Sequence, residues 1–141
     1  MKKLLSLLAA ILLVLFVLGC SEDDENPASS NNPTLSGSWM GKGMLVGVTV
    51  VHLEANLSQS GTTVSGSSSI YGVAVVGQDT LACTVTGNNN YPNVNLTSTA
   101  QGQGGIYKLT FTGAFVNSDS LNGTFKDEGS GVSYPMGIKK Q

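Results

Sequence analysis

From Gly37 onward the chain alternates apolar and polar residues with a period of two. Val51, Leu53, Ala55 and Leu57 interleave with His52, Glu54, Asn56 and Ser58. Tyr107, Leu109, Phe111, Gly113 and Phe115 interleave with Lys108, Thr110, Thr112 and Ala114, and Leu121, Gly123 and Phe125 with Asn122, Thr124 and Lys126. Successive side chains of a strand point to opposite faces, so this pattern predicts half-buried antiparallel strands. Turn-forming residues separate the runs at Ser60-Gly61, Gly77-Gln78-Asp79, Asn88-Asn89-Asn90, Gln101 to Gly105, Asn117-Ser118-Asp119 and Gly129-Ser130-Gly131. The expected fold is all-β: an antiparallel meander of eight or nine strands, closed as a barrel or folded as a β-sandwich.

A small repeat favours closure. Val64-Ser65-Gly66, Val85-Thr86-Gly87, Phe111-Thr112-Gly113 and Leu121-Asn122-Gly123 each put glycine two residues after an apolar side chain, on the inward face of its strand. Inward glycines let strands bend sharply or let backbones approach, as small curved barrels require. They could also open an internal cavity, although eight strands leave an interior that side chains can just fill.

The period is absent before Gly37. Residues Ser21 to Ser36 hold Glu22-Asp23-Asp24-Glu25, Pro27, Ala28-Ser29-Ser30-Asn31-Asn32 and Pro33, a composition expected of a disordered linker. Ahead of it, Lys2 and Lys3 precede an apolar run from Leu4 to Leu18 and then Gly19-Cys20. This order of charged, apolar and small residues reads as a secretory signal. The run is shorter than the ~20 residues that span a bilayer. Val17-Leu18-Gly19-Cys20 resembles the lipobox of bacterial lipoproteins. The resemblance implies removal of residues 1–19, acylation of Cys20 and lasting attachment to a membrane, because stable anchoring takes more than one acyl chain. Ser21 after the cysteine resembles outer-membrane sorting in Gram-negative bacteria, and the acidic run behind it resembles the surface-export signal of Bacteroidetes lipoproteins. That run reads equally as a solvated stretch of charge. The expected organisation is a signal peptide at 1–19, an acylated cysteine with a flexible acidic linker at 20–36, and a β-domain at 37–141, placed in the bacterial envelope at the periplasmic or outer surface.

Charge and cysteine content narrow the partners. Beyond residue 19 there are five lysines, no arginine and nine acids, a net charge of about −4. Without a basic stripe, nucleic acid is excluded as an expected partner. If Cys20 carries lipid, Cys83 is the one remaining thiol. It shares a face with Leu81 and Val85, where a buried cysteine behaves as a small hydrophobe.

Gly37-Ser38-Trp39 at the first strand resembles the Gly-x-Trp opening of the calycins, lipocalins and avidins among them. The resemblance implies a small barrel with a basic residue near the last strand beside the tryptophan, a place that Lys139 or Lys140 could fill. The pairing residue is lysine instead of arginine, and no C-terminal helix follows. Trp39 is the single tryptophan, whereas avidins line their biotin site with several, which argues against biotin. Trp39 otherwise reads as the plug of a barrel floor.

Candidate chemistry is sparse. His52, the only histidine, faces outward beside Glu54 and reads as a solvated side chain, and no Gly-x-Ser-x-Gly elbow accompanies it. Asp79, Asp119, Asp127 and Glu128 could support carboxylate hydrolysis but fall in or beside turns, where acids bond the loop backbone. Gly41-Lys42-Gly43 with Gly47 lacks the helix that a phosphate loop needs. No cofactor or metal is expected. The reading is a non-catalytic envelope lipoprotein, a binding or structural module. A small apolar ligand would be lined by Trp39, Leu57, Phe111, Phe115, Phe125 and Tyr134, and a glycan or envelope protein would meet Tyr71 and Tyr91 at the loops. A surface adhesion or assembly module built as a sandwich, and an envelope hydrolase, are the alternatives.

Overall fold

The computed structural model describes residues 32–141 apart from 46–47, 73–79 and 103. The leader, Cys20, the acidic run and Asp79 lie outside the described residues. Eight strands follow one another: β1 (Gly37–Leu45), β2 (Val48–Ser60), β3 (Thr63–Tyr71), β4 (Leu81–Asn90), β5 (Asn93–Gly102), β6 (Gly105–Asn117), β7 (Ser120–Asp127) and β8 (Ser133–Lys140). Each pairs antiparallel with the next. β8 returns to β1, from Trp39 opposite Lys140 to Gly43 opposite Met136, so the meander closes into a barrel. The sandwich does not form. Closure leaves no unpaired strand edge in this sheet, the feature an edge-to-edge assembly module would need.

Alternation decides which side chains fill the barrel. The inward set includes Val51, Leu53, Ala55 and Leu57 of β2, Leu81, Cys83 and Val85 of β4, and Tyr134, Met136 and Ile138 of β8, all buried in one apolar cluster. Because the strands run up and down, the β2–β3, β4–β5 and β6–β7 turns gather at one end with the start of β1 and the end of β8. We call this end the floor and the opposite end the mouth. Gly61 opens the two-residue β2–β3 turn with φ of 58°, the left-handed conformation that a tight hairpin favours and glycine adopts freely.

The four glycines of the repeat, Gly66, Gly87, Gly113 and Gly123, sit in the floor half, where neighbouring backbones crowd together. A Cβ on Gly66 would fall on the carbonyl oxygen of Asn56, and one on Gly87 on that of Asn95. Close strand approach is therefore what these glycines supply.

Two local expectations are corrected. Asn88-Asn89-Asn90 is not a turn: β4 runs on to Asn90, and the chain reverses at Tyr91-Pro92. The alternation that buries Leu81, Cys83 and Val85 carries through to Asn89, whose side chain is buried and hydrogen-bonded. The linker also ends earlier than Ser36. Leu35 has no exposed surface and Pro33, Leu35 and Ser36 are hydrogen-bonded to β2 or β4, so this segment belongs to the folded unit, Asn32–Gln141.

Candidate binding site in the barrel lumen

The floor is built from β1, β2, β4 and β6 and the segment that precedes β1. The Trp39 indole N–H donates to the Leu35 carbonyl at 2.7 Å, and the Leu35 N–H donates to Gln59 Oε1 at 2.8 Å. Asn89 Nδ2 donates both to the Pro33 carbonyl, at 2.9 Å, and to Gln59 Oε1, at 3.0 Å. Ser36 Oγ accepts from the Gln59 N–H at 3.0 Å. A buried indole needs a partner for its N–H, and here the partner is the carbonyl four residues earlier in the chain. Asn89 Oδ1 is buried with no hydrogen-bond partner, a cost that the two bonds from its Nδ2 offset. Phe115 packs edge-on against Trp39, with ring centroids 6.4 Å apart, and Tyr91 leans on Phe115 at 5.8 Å. Lys140 Nζ lies 5.7 Å from the centre of the Trp39 ring. Of the two candidate lysines, Lys140 is the one at the tryptophan.

Above the floor the lumen has unlike walls. Phe111, Phe125 and Tyr134 stand in register on β6, β7 and β8 and form one inward row of aromatic side chains. On the other side Ala55, Ser68 and Cys83 stand in register on β2, β3 and β4, with Ser98 of β5 beside them. Ser68 Oγ and Ser98 Oγ are 3.3 Å apart, close enough for one hydroxyl to satisfy the other inside an apolar wall. Burial pushes the Cys83 thiol above its ordinary pKa, and a hydrogen bond with Ser68 draws it partly back. Such a thiol is a wall element and a poor nucleophile. Toward the mouth, Tyr107 and Leu109 are only partly buried against the core, and Ile106 and Val132 are exposed.

The six residues expected to line the lumen thus fall into two groups. Trp39 and Phe115 belong to the floor, Phe115 half-buried. Phe111, Phe125 and Tyr134 form the aromatic row, and Leu57 faces inward opposite Gly66. Leu35, Gln59, Asn89, Ser68 and Ser98 are additional participants. Four of these continue the inward parity of their strands past the last clear hydrophobe or between two of them; Leu35 had no such signal.

The remaining candidates stand apart from the lumen. Tyr71, at the end of β3, stacks on His52 with centroids 5.0 Å apart and donates its hydroxyl to Glu54 at 2.9 Å. Tyr91 is exposed at the β4–β5 turn. Asp127 Oδ1 accepts from the Gly129 N–H and its Oδ2 from the Ser130 hydroxyl, both at 2.8 Å. Glu128 is held by Thr110 and Lys126, each at 2.7 Å, and these bonds lower its carboxyl below the usual range. Asp119 lies at the opposite end, in the β6–β7 turn. The described acids therefore do not converge on one cleft. Lys42 and its flanking glycines lie within β1, not in a loop.

No protein-family model, curated protein or solved structure matches this chain.

Proposed function

We propose that the chain is a lipid-anchored envelope protein, acylated at Cys20, whose barrel is a non-catalytic module that takes a small apolar ligand through the mouth. The observation that carries this reading is the unlike construction of the two ends. Leu35, Trp39, Gln59 and Asn89 close the floor with one buried and two part-buried hydrogen bonds. At the other end, the inward side chains of β6 pass from buried Phe111 through half-buried Leu109 to half-buried Tyr107. A cup sealed at one end and apolar up to its lip suits a ligand without charge, since burying an unpaired charge there would be costly. The leader's resemblance to a lipobox supports envelope placement, and the Gly37-Ser38-Trp39 opening supports a lipocalin-like use of the barrel.

Native mass spectrometry of the protein purified from its own host tests both parts. The expected spectrum has the chain beginning at Cys20 with added acyl mass, accompanied by a copurified small molecule. A chain with the acyl mass and no bound species, under any gentle extraction, would leave a structural barrel. A chain that keeps residues 1–19 would remove the anchor.

A second reading, a glycan or envelope protein met at the floor, draws on Tyr91. Its ring is 48% exposed and is braced from behind by Phe115.

A further inference from the structure

The outer wall of the barrel carries a second concavity. Met40, Lys42 and Met44 alternate along β1 with buried Trp39, Gly41 and Gly43, so they face outward. In the row that crosses the sheet at Lys42, the neighbours are His52 on β2 and Gly137 on β8, and Asn122 of β7 follows Gly137. Glycine has no side chain, so the row dips at Gly137 between flanking side chains. The result is a groove of about 560 Å³, within the size range of small-molecule sites.

Its chemistry is uneven in a useful way. One end is a flat wall, the His52 and Tyr71 rings stacked with 3° between their planes and Tyr71 pinned to Glu54. Met40 and Met44 leave 41% and 43% of their surfaces exposed along the groove. Lys42 and Lys139 line it as well. Among the described residues the only ion pair is Lys126 with Glu128, so neither groove lysine has a carboxylate partner there. Two lysines without an ion-pair partner beside exposed thioethers, with the Glu54 carboxylate taken up by the Tyr71 hydroxyl, complement an anion with an apolar body.

We propose that this outer groove binds an anionic amphiphile. The head group sits between Lys42 and Lys139, and the apolar body lies along Met40 and Met44 toward the His52–Tyr71 wall. Methionine adapts its three rotatable bonds to irregular apolar shapes, and lysine stems extend the apolar surface while the ammonium stays in water. The site is separate from the lumen and does not rest on the lumen reading.

The methionines give a test that tells the two apart, because Met136 is buried inside the barrel while Met40 and Met44 stand outside it. The full chain, labelled with ¹³C at its methionine methyls, is titrated with palmitate and with palmitate methyl ester. Palmitate is expected to shift Met40 and Met44 and leave Met136 in place, and the neutral ester to bind about fivefold more weakly or worse. The double variant Lys42→Gln, Lys139→Gln should weaken palmitate by a similar factor. Gly137→Val fills the bottom of the groove and should abolish both methyl shifts. Its added Cβ meets only Asn122 Oδ1, at 3.3 Å, so the barrel should still form. A shift at Met136 alone, no shift at all, equal binding of the ester, or unchanged affinity in the lysine variant would each overturn the proposal.

Discussion

Lys140 holds its ammonium over the face of Trp39, at the rung where the last strand closes on the first. The attraction between a cation and an aromatic face is worth about 0.5–1 kcal/mol at a partly exposed site. Lys140→Met keeps the stem and removes the charge, so it should cost about that much, a fall in melting temperature of roughly 2–8 °C. Lys140→Arg should retain most of the stability. Thermal unfolding followed by Trp39 fluorescence checks both. Equal melting of the Met and Arg variants would mean that the stem alone matters.

The segment before β1 is expected to behave as part of the fold. Leu35→Ala removes a fully buried side chain and should cost about 2–5 kcal/mol. Asn89→Ala leaves the Pro33 carbonyl without its donor and should cost about 1–3 kcal/mol. Urea denaturation measures each loss. Hydrogen exchange at the Trp39 indole should speed up in both, since the Leu35 carbonyl is its acceptor.

Gly66→Ala should destabilise the barrel by about 1–3 kcal/mol, because the new methyl collides with the backbone of β2 and neither strand can step aside inside a closed sheet. Gly137→Ala, on the outer wall, should fall within about 0.5 kcal/mol of the parent. Denaturation midpoints of the two variants compare them directly. Equal losses would remove close strand approach as the reason for the inward glycine.

Cys83 should be protected until the barrel opens. Its folded pKa is raised, so the unfolded chain ionises first as pH rises. The thiol's contribution to stability is full below its unfolded pKa and is lost as pH climbs through the folded one. Alkylation by iodoacetamide, read by mass spectrometry of the Cys83 peptide, should be slow in the native protein at mildly alkaline pH and rapid in urea. Ser68→Ala should slow the native reaction further, since the Ser68 hydrogen bond favours the thiolate. Fast native labelling would contradict the placement of Cys83 in the wall.

Alternation along β2, β4, β6 and β7 was enough to read the strands and their inward faces, because period two is a local consequence of backbone geometry. Ser60-Gly61 was legible as a turn for the same reason. Closure was not local. It consists of Trp39 meeting Lys140 across the whole length of the domain, and the same alternation would serve a sandwich. Leu35 reads as linker in the sequence because a single leucine between Pro33, Thr34 and Ser36 has no period to betray it. Only Gln59 and Asn89, distant in sequence, make it part of the floor. Asn89 carries a turn signal in the sequence because three asparagines in a row usually break a strand. The outer groove was invisible, since it depends on Gly137 lying between Lys42 and Asn122 on neighbouring strands.

The pairing of β1 with β8 brings the Gln141 N–H to the Ser38 carbonyl at 2.9 Å, so the first strand starts and the last strand finishes side by side at the floor. A bridge from Gln141 back across the floor to Asn32 and a cut at the Gly61 turn would give a rearranged chain with every strand neighbour preserved. The same adjacency leaves the opposite end free of termini. Its four connections can lengthen, shorten or change composition without disturbing the hydrogen-bonded floor.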